Sequence, residues 1–130
     1  MLNNEGKFIL VVANEKYLEE NKDRIRGLFI THGHLDHIGA IPYIMKKLGN
    51  PPIYTREFGS MMILKRQEEF PDAPPIDMRV VKGNERIEFG KLSTKFFPVD
   101  HSIPDSMGII VETPYGDIIN TGDLKLDHTD

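Results

Sequence analysis

The spacing of apolar residues changes period near the middle of the chain. Residues 8–13, "FILVVA", form a continuous apolar, β-branched run, the pattern of a strand buried on both faces. Asn14 is placed to cap a short helix over "EKYLEENKDRI", whose acids come early and bases late, as the helix dipole favours. "GLFIT" predicts a buried strand that ends at the stretch "THGHLDH". Beyond it Ile38, Ile41, Met45 and Leu48 recur at helical spacing, and "GNPP" stops that helix. "PIYT" predicts a short strand, after which Thr55 caps a helix running to about Glu69. "FPDAPPIDM", with three prolines, is a loop. From there the pattern is β: "MRVVK", "ERIEF", "KLSTKFFPV", "GIIVETP" and "GDIINT" read as a strand meander broken by glycine and proline. The expected fold is α/β, with helices on one side of a mixed β-sheet that would be half of a larger sandwich.

Composition narrows the classes. A chain of 130 residues, 39% hydrophobic and 28% charged, falls in the size range of one domain with a modest core. No apolar run approaches the roughly 18 to 20 residues of a membrane span. The N-terminus has no basic n-region or small-residue cleavage site, so no signal peptide is expected and the cytoplasm is the expected location. With no cysteine, any metal is held by histidine and carboxylate. The net charge of −4 leaves no basic stripe beyond the pairs Lys46, Lys47 and Lys65, Arg66, which argues mildly against a nucleic-acid surface.

The histidines change that picture. "THGHLDH" holds three of the five histidines, and two further acidic motifs also follow apolar strands directly: "KFFPV-DH" and "DIINT-GD". Strand ends are rigid platforms that gather at one rim of a sheet, so His32, His34, Asp36, His37, His101 and Asp123 are expected around one pocket. Imidazole and carboxylate suit zinc, manganese or iron. In His32-x-His34 alternate side chains of an extended turn point the same way, Gly33 permits the tight path, and Asp36 with His37 can face a second ion. Two such ions about 3.5 to 4 Å apart support hydrolysis. At this chain's composition H-x-H-x-D-H arises by chance in roughly one chain in two thousand. The bland readings are a turn role for Asp123, capping for Asp100 and Asp105, and a solvent-exposed tail for His128.

"THGHLDHIGA" resembles the metal-binding signature of the metallo-β-lactamase superfamily. "YLEENKDRIRGLFITHGHLDHIGAIPY" and "VDHSIPDSMGIIVETPYGDIINTGDLKLD" are similar to the lactamase-type core of the ribonuclease J family, in the β-CASP group, from about Tyr17 onward. The resemblance implies a first metal on His32, His34 and His101, a second on Asp36 and His37, and a bridging Asp123. It also implies that Asp36 orients the hydroxide attacking phosphorus, that RNA is the substrate, and that the cofactors are two divalent ions, zinc with manganese as the alternative. Ser102 and Ser106 lie near the expected pocket, with packing or turn roles as the alternative to substrate contact.

The departures from the family set further expectations. "MLNNEGKFILVV" does not match the family's early aspartate-glycine motif, and the β-CASP domain and a further histidine ligand have no counterpart after Asp130. Residues 1–130 are therefore expected to be a single truncated metallo-β-lactamase-like domain, weak or inactive alone, whose first site binds metal better than its second. The competing readings are a small-molecule hydrolase of the same superfamily and a non-catalytic, metal-binding remnant. An uncovered sheet face would favour a homodimer packed sheet to sheet.

Overall fold

Parallel and antiparallel strands separate into two sheets rather than sharing one, and the reason lies in their connections. The computed structural model describes residues 15–83, 85–99 and 106–122, with the backbone alone for Glu15 and Asp36. Helix α1 (Glu15–Glu20) and a 3-10 turn (Lys22–Arg24) lead into β1 (Leu28–Phe29). Two short helices, α2 (Leu35–Ile38) and α3 (Ile41–Ile44), connect β1 to β2 (Ile53–Thr55). Helix α4 (Glu57–Gln67) then crosses to β3 (Met78–Val80). Each helical crossover returns the chain in the same direction, so β1, β2 and β3 pair in parallel, with Leu28 opposite Ile53 and Ile53 opposite Met78. Two-residue turns then reverse the chain between Phe89 and Leu92 and between Thr113 and Gly116. Strands β4 (Arg86–Phe89), β5 (Leu92–Pro98), β6 (Met107–Thr113) and β7 (Gly116–Asn120) form an antiparallel meander. "MRVVK" thus belongs to the parallel sheet, not to the meander.

Side-chain alternation joins these layers. Leu28, Ile53 and Met78 face the helices and pack with Ile38, Ile41, Ile44, Met45, Leu48 and Ile63. Phe29 and Tyr54 point the other way, stacking with ring centroids 4.9 Å apart, onto Phe96, Met107 and Ile109 of the second sheet. Ile87, Phe89 and Val111 extend this second core. On the opposite face of the meander Arg86 and Lys95 both pair with Glu112, at 2.8 and 3.3 Å. The result is helices, parallel sheet and antiparallel sheet in successive layers, a partial α/β sandwich.

Two expected features differ locally. The helix read through Ile38 and Leu48 is broken, although all four of its marker residues are buried. Pro42 in the first turn of α3 has no N–H to donate to the preceding turn, so α2 and α3 are separate. Thr55 does not cap α4. Its hydroxyl donates to the Ile30 carbonyl at 3.0 Å, and Arg56 occupies the cap position with no side-chain cap bond. Among the described residues no helix is long and apolar enough to cross a membrane. The "FILVVA" run and the Asn14 cap lie outside the described residues.

Candidate metal centre

The histidine cluster sits at the carboxyl end of β1, where an open α/β sheet leaves a crevice. The backbone holds that end from both sides. Ile30 N–H donates to the Tyr54 carbonyl at 3.0 Å, and the Thr31 carbonyl accepts from Met107 N–H at 2.9 Å. The parallel sheet and the first residue of β6 therefore meet at Thr31. His34 is extended, with φ −67° and ψ 147°, and its carbonyl accepts the N–H groups of His37 and Ile38, which starts α2. His37 consequently projects from a helical turn, not from a continuation of the extended segment.

The three rings converge. The His32 and His34 centroids are 4.9 Å apart and nearly perpendicular, and those of His32 and His37 are 4.0 Å apart. His32 is the most enclosed, 1% exposed, whereas His34 and His37 are half-buried at the mouth. Its Nδ1 lies 2.9 Å from the Thr31 hydroxyl, a buried pair. Helix α4 forms the floor of the turn. A Cβ on Gly33 would lie 3.1 Å from Met62 Cβ and 3.6 Å from Gly59 Cα, so a glycine lets the H-x-H turn rest on the helix. Gly59 in turn lets α4 approach Thr55 Oγ1, to within 2.5 Å of where its own Cβ would stand.

Donor chemistry fits a borderline divalent ion. Several imidazoles with no thiolate suit zinc or iron, and rings clustered around a buried member bring their nitrogens to one place. Among the described residues no group of three histidine, aspartate or glutamate side chains is arranged to hold an ion by itself. His101, Asp123 and the side chain of Asp36 lie outside the described residues, as do Asp100, Ser102, Asp105 and His128. The described residues that border both segments lie near this rim. Ser106, buried ahead of β6, follows His101, and Gly122 after β7 precedes Asp123. A Cβ on Gly122 would lie 2.9 Å from Thr31, so the end of β7 reaches the residue next to His32.

Two residues of this centre are not legible as chemistry in the sequence. Thr31 reads as the last residue of a strand, and Gly122 as a turn residue. The available signal is a hydroxyl immediately before the first histidine, and its use depends on the bend at Thr31 that turns its side chain onto its neighbour's ring.

Comparison with known proteins agrees with this geometry. Residues 3–129 match the Lactamase_B family, the metallo-beta-lactamase superfamily. Ribonuclease J 1 of Streptococcus pyogenes is 40% identical over 119 residues, and ribonuclease J of Mycoplasma pneumoniae 38% over 117. These alignments cover 92% and 90% of the chain and 21% of each relative, so the chain spans about a fifth of their length. A B3 metallo-beta-lactamase with an active-site glutamic acid superposes over 84% of the chain and 46% of its own, with a TM-score of 0.62 at 17% identity, a likeness of fold. The chain belongs to the metallo-beta-lactamase superfamily.

Proposed function

We propose that the chain is the core of a metal-dependent RNA phosphodiester hydrolase of the ribonuclease J kind. The observation that carries this reading is 38 to 40% identity to two ribonucleases J across nine-tenths of the chain, including the histidine cluster. Of the donors, His32, His34 and His101 would hold a first ion, Asp36 and His37 a second, and Asp123 would bridge them. When bound, divalent ions supply an activated water and neutralise charge developing on the phosphate. Zinc suits the imidazole-rich part of the set, with manganese favoured where carboxylates dominate.

The chain's own residues do the rest. His32, enclosed at the base of the crevice, fixes one ligand direction, while the half-buried His34 and His37 stand where a phosphodiester would enter. Asp36 would orient the attacking water and hold its proton. With a net charge of −4 and no basic stripe evident in the sequence, an RNA strand would need cations from the bound ions or from a partner. The chain alone is expected to cleave weakly or not at all, with the His32 site binding more tightly than the Asp36 and His37 site.

A homodimer forms part of the proposal. Strand β7 carries Ile118 and Ile119, 63% and 61% exposed, beside an almost fully exposed Tyr115, and apolar surface on an edge strand favours association. Light scattering showing a monomer at micromolar concentration would refute that part.

Metal content per purified chain, paired with cleavage of a 5′-monophosphorylated RNA with zinc or manganese, tests the main reading. Bound metal that is lost in His34→Ala, together with any weak cleavage, is the expected result. Hydrolysis of a thioester or lactam without any RNA cleavage would overturn the assignment in favour of a small-molecule hydrolase.

A further inference from the structure

We propose that Thr31 is a positioning residue for His32: its hydroxyl accepts the Nδ1–H of the ring and thereby directs the Nε2 lone pair to a divalent cation. The inference rests on the reading of His32 as a metal ligand. Its geometric basis is a 2.9 Å contact between Thr31 Oγ1 and His32 Nδ1, with both residues buried. Neighbouring side chains of an extended strand point to opposite faces. A bond between residues 31 and 32 therefore requires the bend at which β1 ends.

A neutral imidazole has one N–H and one lone pair, and the partner of one nitrogen decides which the other carries. With the hydroxyl accepting at Nδ1, Nε2 carries the lone pair and can ligate. With the hydroxyl donating, Nε2 would carry hydrogen and could not. Ligating histidines commonly hold their second nitrogen by an N–H bond to an outer acceptor, and here a hydroxyl takes that place.

Thr31 is suited to the role because it is held on several sides. Its carbonyl accepts from Met107 N–H at 2.9 Å, and its β-branched side chain has a stiff χ1. The Gly122 backbone, at φ +64°, lies against it so closely that an added Cβ would be 2.9 Å from both Thr31 Cβ and Oγ1. One threonine therefore joins the ends of β1 and β7 and the start of β6, and sets the ring beside it.

The test separates hydroxyl from packing. Thr31→Val keeps the shape against Gly122 and removes the hydroxyl, while Thr31→Ser keeps the hydroxyl and removes the methyl. Long-range proton–nitrogen NMR on the metal-stripped full chain, at a pH where the ring is neutral, reads the His32 tautomer. A chelator-competition titration with zinc alone then reads affinity. The wild type and Thr31→Ser are expected to hold Nδ1–H, and Thr31→Val to lose that preference with zinc affinity falling by roughly 10- to 100-fold. An Nε2–H tautomer in the wild type would overturn the proposal whether or not Thr31→Val folds. So would a Thr31→Val protein with unchanged tautomer and affinity. A wild type that holds Nδ1–H yet binds no zinc would support the ring assignment and refute the metal reading beneath it.

Discussion

Replacing Gly122 with alanine should destabilise the fold by two separable effects. Gly122 has φ +64°, and a side chain in that region costs about 1 to 2 kcal/mol relative to glycine. The new Cβ would also stand 2.9 Å from Thr31 Cβ and Oγ1. Thr31 has little room to yield, since Met107 N–H holds its carbonyl at 2.9 Å and His32 lies against its hydroxyl. Overpacking of this kind adds about 1 to 3 kcal/mol. Gly90 is the internal control, with φ +63° and nothing within 4 Å of where an added Cβ would stand. Gly90→Ala should therefore lose only the backbone part, about 1 to 2 kcal/mol. Urea unfolding of the wild type and both variants measures the difference, with ΔG taken from the midpoint and a common slope of about 1 to 3 kcal/mol per molar. Gly122→Ala should be the less stable variant by at least about 1 kcal/mol. Equal losses in the two variants would refute the contact between the end of β7 and Thr31, and a near-neutral Gly122→Ala would refute the turn itself.

Other consequences follow from the same contacts. Met45, fully buried among the helices, should lose about 2 to 5 kcal/mol on truncation to alanine, whereas exposed Met61 on α4 should change by less than about 0.5, both read by urea unfolding. The Ser93 hydroxyl, donating to Glu112 at 2.9 Å, is the main cause that holds the Glu112 carboxyl below its usual range, with Lys95 and Arg86 assisting and desolvation opposing. A depressed folded value means this contribution is complete above the ordinary glutamate range near about 4.3 and fades as pH falls through the folded value. Ser93→Ala should move the Glu112 midpoint upward in an NMR titration, and an unmoved midpoint would refute that cause. If His32 and His34 bind zinc, ion at a hundred times its Kd should stabilise the wild type by about 2.7 kcal/mol. Chelator, or His34→Ala, should remove that gain in a thermal melt, and an undiminished gain in the variant would place the ion elsewhere.

Much of the chain's local order follows from periodicity alone. The alternation in β4 and the helical spacing of Ile38, Ile41, Met45 and Leu48 both reflect one buried face, so these elements and their inward residues are readable. Boundaries are less so: β1 is only Leu28–Phe29, and Pro42 divides what spacing alone makes continuous. The assignment of "MRVVK" to a parallel sheet depends on the helical crossover before it, which the pattern of the strand itself does not contain.

The candidate centre divides in the same way. Residue type and spacing predict that His32, His34, Asp36 and His37 gather metal-ligating groups just after a strand, because imidazole and carboxylate at that density are the ligand types for a divalent ion. Tertiary structure alone decides that His37 lies closer to His32 than His34 does, since α2 begins at His34 and turns the later ring back. It also decides that Thr31 meets Gly122, residues separated by most of the chain, because those positions become neighbours only when β1 and β7 end on the same rim. A linear pattern records which face each residue prefers. Which distant residue waits on that face is set by the packing of the two sheets.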